Sequence, residues 1–523
     1  MAASAGRVKL SQAVDPLVLA VDIGSTASRG DVYDAAGRPV QGGREKVPHQ
    51  FMTRDDGTSE IDPDQIVGEV QQIVTALATD RRAGRIGGVA LDTFASSLVG
   101  VGADRRARTP CFTYADSRCA AQVAELRRQL DERVIQQRTG CRLHASYLTA
   151  RLRWLRETMP DTFRSVRHWM SLGEYIYWQI LGVTAAGTST AAWTGMLDRR
   201  TGQWDQELLD VCGVREEQLS EVRDPDQPIT EVEAAMRRRW PALAGAAWFP
   251  AVSDGFSSNM GAGAVDESAV AASVATSGAM RVLVHGIPEE IPSGLWCYRV
   301  DGSRSLLGGA VNDVGRVVSW LQSMVRFLPE DDFNLILAAA PQAGSPLVLP
   351  YFSGERSTGW AANARAVLAG VSAATTGAML FRGAMEGVAI SYARIADQLQ
   401  SVAGQPQRIL ASGRVTQDLP AWLQILADVL QAPVIPVTIK RSTLRGTALI
   451  ALDVMAPDIA RTSSATGETR QPVTDRAASY RSRKQDYQTL YEAAITPAGA
   501  DPPPESGIAG RASSPRRTAT SGK

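Results

Sequence analysis

The apolar run Leu17–Val21 is followed at once by a charged residue, Asp22, and then by small residues. A short apolar run bounded by turn signals predicts a buried strand, and the residues at 30–33 predict the strand that returns beside it. The turn Gly24–Thr26 then closes a hairpin whose tip carries two hydroxyls and free backbone N–H groups. A further turn at 34–37 predicts a third strand, so the chain opens as a meander.

The chemistry of this hairpin suits a polyphosphate. Backbone N–H groups in a turn can cradle phosphate oxygens, and Ser25 and Thr26 add hydroxyl groups. The carboxylate of Asp22 can hold a hard cation such as Mg²⁺ through its waters. An ordinary hairpin turn is the alternative interpretation of the same residues.

The same pattern occurs again in the second half of the chain. A strand is predicted at 271–276, a turn at 277–278 and a return strand at 279–284. Just before them, Asp254 stands in the tripeptide Ser-Asp-Gly, at the start of a predicted helix. Two hairpins of one kind indicate two similar α/β lobes around one cleft.

Asp254 is the sharpest candidate for catalysis. A carboxylate on a rigid loop can take the proton of a hydroxyl beside a metal-bound phosphate. Each candidate has a plainer interpretation: a helix cap for Asp254, a hairpin turn for Thr276–Gly278, a surface ion pair for Asp116 with Arg118, and a turn glycine for Gly413.

Between and after the hairpins, the hydrophobic pattern predicts helices and further buried strands. The predicted helices span 61–79, 122–137, 148–157, 173–181, 205–212, 381–399, 422–430 and 446–452, with a basic helix near Arg237. The predicted strands span 86–91, 409–412 and 434–437, and the small residues at 188–195 are predicted to form a loop.

Composition narrows the class of protein. The 523 residues include 55 Lys and Arg and 55 Asp and Glu, so no net charge attracts nucleic acid or an acidic membrane. The five cysteines lack metal or disulfide spacing, which predicts reduced thiols in a cytoplasmic protein. No signal peptide or membrane span is predicted. Residues 1–16 and the Pro-, Ser- and Gly-rich tail 496–523 are predicted to be disordered.

Known motifs for other chemistries are missing from the sequence. It contains no G-x-x-x-x-G-K-[ST] loop, no G-x-G-x-x-G after a strand and no G-x-S-x-G elbow. With four histidines and no paired spacing, a histidine-rich metal site is not indicated. The chain offers acidic residues at strand or loop ends and two phosphate-type turns.

Together these residues resemble the FGGY carbohydrate kinases, of the actin/Hsp70/sugar-kinase superfamily. The resemblance covers about 17–455 of the chain. Asp22–Thr26 is similar to the first phosphate motif of the family. Ser253–Gly255 and Ala275–Gly278 resemble its catalytic-base segment and second phosphate motif. The segments 308–321, 409–430 and 445–452 resemble the nucleotide-side helix, the adenosine motif and the closing helix.

The resemblance implies an α/β fold of two ribonuclease-H-like lobes around a central cleft. The N-terminal lobe would span 17–250 on the sugar side and the C-terminal lobe 251–460 on the nucleotide side. A helical extension would follow at 461–495. The implied activity is ATP-dependent phosphorylation of a hydroxyl of a sugar, sugar acid or polyol, with ATP and Mg²⁺ as cofactors. A homodimer is left open.

The roles of single residues also follow from the resemblance. Asp254 would be the general base, and Asp22 and Asp254 would position Mg²⁺. The phosphates would contact Ser25, Thr26, Thr276 and Gly278, while Gly315 and Gly413 would flank the nucleotide. The sugar would contact Ser96, Asp116, Arg118 and Asp254.

Within the family, the chain is most similar to the gluconate kinases. The motifs that carry this similarity lie at 92–101, 113–118, 171–175 and 354–360. Ser96, however, replaces a usual His, which leaves a kinase for a different ketose, polyol or modified sugar as an alternative. Arg414 follows Gly413 where the family prefers a second Gly, which leaves a non-catalytic relative that binds a sugar and a nucleotide.

Overall fold

The computed structural model describes residues 6–328, 332–342 and 344–495. The predicted tail 496–523 and residues 1–5 of the predicted start lie outside the described residues. The strands are β1 (Leu17–Ile23), β2 (Ala27–Tyr33), β3 (Pro39–Pro48), β4 (Met52–Thr53), β5 (Ser59–Ile61), β6 (Ile86–Thr93), β7 (Val99–Val101), β8 (Cys111–Phe112), β9 (His168–Met170), β10 (Ala186–Gly187), β11 (Val222–Arg223), β12 (Ala247–Trp248), β13 (Val252–Ser253), β14 (Ala269–Val274), β15 (Gly278–His285), β16 (Trp296–Arg299), β17 (Arg304–Val311), β18 (Leu347–Leu349), β19 (Val367–Ala369), β20 (Arg408–Ser412) and β21 (Val434–Pro436).

The helices follow the same chain order. They are α1 (Pro63–Leu77), α2 (Ala120–Gln129), α3 (Glu132–Thr139), α4 (Leu148–Thr158), α5 (Pro160–Ser165), α6 (Leu172–Leu181), α7 (Thr188–Ala192), α8 (Gln206–Cys212), α9 (Ala234–Arg239), α10 (Asp254–Ala262), α11 (Gly315–Met324), α12 (Phe333–Ala338), α13 (Gly377–Ala403), α14 (Arg414–Asp418), α15 (Trp422–Leu430), α16 (Ser442–Met455) and α17 (Thr474–Ala494). Single 3₁₀ turns lie at Leu10–Gln12, Asp80–Arg82, Glu216–Gln218 and Pro241–Leu243.

The first sheet contains the predicted meander. Its strand order is β12-β6-β1-β2-β3, with β13 also paired to β6. The strand β1 is antiparallel to β2 and parallel to β6. The run at 17–21 is apolar throughout because helices cover both faces: Leu19 lies in the cluster that includes α1 residues, and Ala20 in the cluster that includes Leu444 of α16.

The second sheet repeats this arrangement. Its order is β16-β17-β15-β14-β20-β21, and β14 is antiparallel to β15 and parallel to β20. The long helix α13 packs on this sheet with residues such as Met385 and Val388, which are fully buried. The prediction of two ribonuclease-H-like lobes in an α/β fold is therefore confirmed.

Two helices cross closely between the sheets. A Cβ atom on Gly446 of α16 would lie 1.7 Å from the carbonyl oxygen of Ser257 in α10, and one on Gly261 would lie 1.7 Å from that of Ser442. Only glycine lets the backbones approach so far. The helix α16, from the second half of the chain, thereby lies on the first sheet and touches the helix that begins with Asp254.

Some local predictions were wrong. The helix expected at 122–137 is two helices, because the carboxylate of Asp131 caps α3 by accepting from the N–H groups of Arg133 and Val134. The loop expected at 188–195 contains the short helix α7. The segment 461–495, by contrast, was predicted as a helical extension, and it contains α17, whose Tyr487 is buried against the second core.

The start of the chain is ordered from residue 6 onward. The N–H of Val8 donates to the carbonyl of Pro39 at 3.0 Å, and Arg7 pairs with Asp31 of β2. The disorder predicted for 1–16 therefore does not hold for residues 6–16, because backbone bonds and a buried carboxylate fix them to the sheet. All five cysteines are buried and free. Among the described residues, no helix is long and apolar enough to cross a membrane.

Candidate active site

Three carboxylates stand at the carboxyl ends of strands in the first sheet. Asp22 of β1 and Asp92 of β6 are register partners on adjacent parallel strands. The strand β13 pairs with the end of β6, and Asp254 follows it directly as the first residue of α10. Because the carboxyl ends of parallel strands meet at one edge of a sheet, these three side chains converge.

The convergence is visible in their electrostatics. Burial raises the pKa of Asp92 well above its usual range, and the charges of Asp22 and Asp254 raise it further. Burial also raises the pKa of Asp22, and Arg29, 3.3 Å away, opposes this only in part. The Oδ2 atom of Asp92 accepts a hydrogen bond of 2.5 Å from Thr447, whereas its buried Oδ1 has no hydrogen-bond partner among the described residues.

Asp254 has the pKa of a usable base. Burial raises the pKa of its carboxyl to about 6, Arg281 opposes this and Asp22 adds to it. The carboxylate is therefore ionised near neutral pH and more basic than an exposed Asp. The N-cap of α10 is Ser253, not Asp254. Asp254 thus has no N-cap role in this helix.

The carboxylates fit a Mg²⁺ ion whose coordination shell is completed by other ligands. Burial raises the pKa of Asp22, Asp92 and Asp254, so a nearby cation would favour the ionised form of each carboxyl. Within the described ranges, no group of three or more His, Cys, Asp or Glu side chains could hold a metal by itself. Mg²⁺ usually takes one or two carboxylates and completes its shell with waters and substrate phosphates.

In the first hairpin, the side chains predicted to bind phosphate are exposed to solvent. Ser25 and Thr26 are exposed at its tip, while Asp22 is nearly buried. Arg29 is a residue that the sequence argument missed: it is the register partner of Asp22, pairs with that carboxylate and donates to Thr26 Oγ1 at 3.3 Å. Its position across the hairpin from Asp22 was the available signal.

The second hairpin is fixed by close packing. Thr276 is exposed in the turn, and a Cβ atom on Gly278 would lie 1.8 Å from the hydroxyl oxygen of Tyr392. The N–H of Gly315, at the start of α11, donates to the carbonyl of Ala275 at 2.8 Å. The turn thus has its backbone held from one side while Thr276 stays accessible.

A cavity of about 650 Å³ opens beside this hairpin. Thr276, Gly315 and Arg414 are among the residues that line it. Gly413 has a φ of +123°, and a Cβ atom there would lie 2.2 Å from the carbonyl oxygen of Val274. The structure thus brings three predicted nucleotide positions, Thr276, Gly315 and the turn at 413–414, to one cavity.

Arg414 leaves that cavity open. Its side chain is 86% exposed and pairs with Asp418 one helical turn later, at 2.9 Å. The apolar Phe333 and Val318 and the polar Asn334 complete part of the wall. A flat heterocycle could bind between such side chains, since pockets of this size combine apolar walls with a few polar groups.

The hydroxyl of Ser96 makes a hydrogen bond within the protein. It has a φ of +55°, and its hydroxyl donates to the carbonyl of Trp193 at 2.6 Å. Its own carbonyl accepts from Arg151 at 2.9 Å. The Ser96 hydroxyl therefore has only acceptor capacity left for a substrate.

Asp116 and Arg118 form an ion pair of 2.6 Å. The ion pair of the alternative interpretation therefore exists, but it does not lie on the surface, because Asp116 is buried. Arg118 also pairs with Glu60 and lies over the ring of Trp154, 4.7 Å from its centroid. The contacts of this pair thus lie within the first lobe and not with Asp254. Instead Tyr114, in the same loop, has its pKa raised by burial and by Asp254.

Several residues facing Asp254 carried no sequence signal. A Cβ atom on Gly255 would lie 3.1 Å from Trp193 and 3.7 Å from Arg281. Trp193 stacks on Tyr298 with ring centroids 3.6 Å apart. Their positions depend on how the two lobes pack, which local patterns do not reveal.

Comparison with known proteins agrees with this geometry. The model of the FGGY family of carbohydrate kinases, N-terminal domain, matches residues 17–261, and that of the C-terminal domain matches 275–453. A gluconokinase from Bacillus subtilis is 23% identical over 83% of this chain and 87% of its own length.

Solved structures show the same fold over nearly the whole chain. The gluconate kinase from Lactobacillus acidophilus has a TM-score of 0.83 and 27% identity, covering 91% of this chain and 98% of its own. The xylulose kinase from Lactobacillus acidophilus has a TM-score of 0.84 and 27% identity, covering 93% and 98%. With both of its domain models matched, the chain belongs to the FGGY family of carbohydrate kinases.

Proposed function

We propose that the protein is an ATP-dependent kinase that transfers the γ-phosphoryl group to a hydroxyl of a sugar acid similar to gluconate. The observation that carries this proposal is the position of Asp254. Its carboxylate interacts with the charge of Asp22, beside the first phosphate hairpin, and with Arg281, on the strand that leaves the second. The base thus stands between two hairpins of the phosphate-binding type.

In this mechanism Asp254 accepts the proton of the attacking hydroxyl. A carboxyl with a pKa near 6 is ionised at neutral pH, so it is ready to accept a proton as the O–P bond forms. Backbone N–H groups of both turns, the hydroxyls of Ser25, Thr26 and Thr276, and the Arg29 guanidinium would hold the phosphates. Phosphoryl transfer requires mainly such positioning and charge stabilisation.

Asp22 and Asp254 would hold Mg²⁺, which when bound supplies neutralisation of the phosphate charge. Asp92 would act behind them: its hydrogen bond from Thr447 fixes it beside Asp22. The nucleotide would bind in the cavity beside Gly315 and Gly413. Closure of the lobes over the acceptor would exclude water and limit hydrolysis of ATP.

The test is the variant Asp254→Asn in an assay of ADP release with gluconate. We expect kcat to fall by about 10²–10⁴-fold, because the amide cannot accept the proton, while ATP binding by calorimetry is kept. Asp131→Asn is the matched control, since it makes the same change at an exposed helix cap. Near-normal turnover of Asp254→Asn would exclude Asp254 as the base.

A kinase for a neutral ketose is the second candidate. Two observations favour it: the xylulose kinase structure is as similar as the gluconate kinase structure, and Ser96 stands where gluconate-type members usually carry His. Turnover of xylulose but not of gluconate in the same assay would support it. Binding of ATP and sugar without turnover of any acceptor would support a non-catalytic relative instead.

A further inference from the structure

Arg281 extends from the second sheet toward the cleft between the lobes. Its neighbours on β15, Met280 and Val282, are fully buried in the core of the second lobe. Since side chains alternate along a strand, Arg281 faces the opposite side, as does Leu283. Leu283 belongs to the cluster that includes Trp193 and residues of both halves of the chain. Arg281 is thus on the face that meets the first lobe.

The guanidinium of Arg281 has no partner there. Its Nε is buried, and among the described residues the side chain makes no hydrogen bond and no ion pair. Arg151 shows the ordinary solution in this fold, since its buried guanidinium donates to the carbonyls of Ser96, Asp116 and Ala145. Arg281 is partly buried, and a guanidinium whose buried Nε lacks an acceptor among the described residues is costly, so its presence points to an anion that comes from outside the chain.

A second cation increases this imbalance. Arg356 also has a buried Nε that makes no hydrogen bond within the part of the chain that the structure describes. The two guanidinium groups are near enough for the charge of Arg356 to disfavour the charged form of Arg281. Asp254 is the anion that most strongly favours the charged form of Arg281, yet the side chains of Asp254 and Arg281, both in the described part of the chain, form no ion pair. Asp254, the carboxylate that must accept the proton in the proposed reaction, therefore does not serve Arg281 as an ion-pair partner.

Arg281 also lies close to the proposed base. The Nε of Arg281 lies 3.7 Å from the place of a Cβ atom on Gly255, next to Asp254, so it borders the same space as the base. Guanidinium groups bind carboxylates through paired N–H donors, with a geometry that an ammonium or amide lacks. The aromatic rings of Trp193 and Tyr298 supply an apolar wall beside it.

We propose that Arg281 binds the carboxylate of the acceptor and makes the kinase select sugar acids over neutral polyols of the same length. This rests on the proposed function for the reaction itself. Arg281 is here a specificity residue that touches substrate, and Asp254 remains the base. The matched pair of acceptors is gluconate and glucitol, which differ only in a carboxylate against a hydroxymethyl group.

The experiment compares Arg281→Gln, Arg281→Lys and wild type with both acceptors. For Arg281→Gln we expect kcat/KM for gluconate to fall by about 100-fold, mostly through KM, because charge-assisted bonds are lost. The KM for ATP and the kcat/KM for glucitol should change less than about threefold, and Arg281→Lys should recover part of the gluconate activity. Arg408→Gln, on β20 two strands away in the same sheet, is the matched control and should behave as wild type.

Two outcomes would overturn this assignment. Equal losses for gluconate and glucitol, with the pH profile of kcat moved for both, would show that Arg281 acts through Asp254. A preference of the wild-type enzyme for glucitol would show that the enzyme does not select its acceptor by a carboxylate.

Failure of the kinase reaction would be recognised separately. If the wild-type protein turned over no acceptor, calorimetry of gluconate binding would still show whether Arg281 binds the carboxylate. Binding to wild type and Arg408→Gln but not to Arg281→Gln would support the anion site, and no binding to wild type would exclude it.

Discussion

The hydroxyl of Thr447 donates a hydrogen bond of 2.5 Å to Oδ2 of Asp92. The donor lies on α16, from the second half of the chain, and the acceptor lies at the end of β6 in the first sheet. The other oxygen of this buried carboxylate accepts no hydrogen bond from residues 6–328, 332–342 or 344–495. One hydroxyl therefore supports an acidic group that stands next to Asp22, and the contact connects the closing helix to the proposed phosphate site.

Replacing Thr447 by Val should destabilise the protein. The change keeps the shape of the side chain but removes the donor, so Asp92 loses its recorded hydrogen bond inside the core. We expect the free energy of unfolding to fall by about 1–3 kcal/mol in urea titrations. Thr443→Val on the same helix is the control, because the Thr443 side chain is only partly buried and has no such acceptor. Equal midpoints for the two variants would contradict the role of Thr447.

The raised pKa of Asp254 predicts how stability depends on pH. The carboxyl takes a proton below about pH 3.8 in the unfolded chain and below about 6 in the folded protein. The stabilisation from that proton is complete below the unfolded pKa and is lost as pH rises through 6. Asp254→Asn removes the buried charge, so it should unfold at higher urea concentration than wild type at pH 8, by at most about 3 kcal/mol.

At pH 4 the same two proteins should differ much less, because wild-type Asp254 is then mostly protonated. Asp131→Asn, at an exposed cap, should show no such pH-dependent gain. A gain for Asp254→Asn that is the same at both pH values would mean that the pKa of Asp254 is not raised in the folded state.

Local sequence patterns were enough for the framework of the site. The two hairpins, the strand ends at Asp22 and Asp92 and the start of α10 at Asp254 each follow from a few neighbouring residues. A strand that ends in a carboxylate and a turn of small residues are features that neighbours along the chain determine.

What the sequence did not reveal depends on contacts between distant segments. Arg281 and Trp193 meet beside Gly255 only because β15 presents one face to the other lobe. Ser96 was predicted to bind the sugar, but its hydroxyl donates to Trp193, almost a hundred residues later. The short helix α7 was missed since small residues give no helical period there.

Gly413 should tolerate no side chain. Its φ of +123° is unfavourable for other residues, and a Cβ atom would meet the carbonyl of Val274 at 2.2 Å. We expect Gly413→Ala to lower the free energy of unfolding by at least about 1–2 kcal/mol and to weaken ATP binding measured by calorimetry. Arg414→Ala is the control for stability: that side chain is exposed, and its pair with Asp418 contributes at most about 0.5 kcal/mol. If Gly413→Ala bound ATP as strongly as wild type, this turn would not be part of the nucleotide site.

The crossing of α10 and α16 gives the sharpest structural test. In Gly446→Ala the new methyl group would lie 1.7 Å from the carbonyl oxygen of Ser257, so the two helices must separate. Since α10 begins with Asp254 and α16 carries Thr447, we expect losses of both stability and kcat. The matched control is Gly68→Ala, also inside a helix.

The control distinguishes close packing from helix propensity. Gly68 is exposed in α1, and a Cβ atom there would meet nothing within 4 Å. Propensity alone would make either change stabilising, by about 0.5–1 kcal/mol. Gly68→Ala should show that gain in thermal and urea unfolding, whereas Gly446→Ala should lose several kcal/mol because overpacked backbones cannot relax. If both variants were stabilised, the helices would not cross as closely as the glycines indicate, and the connection between Thr447 and the base would have to be abandoned.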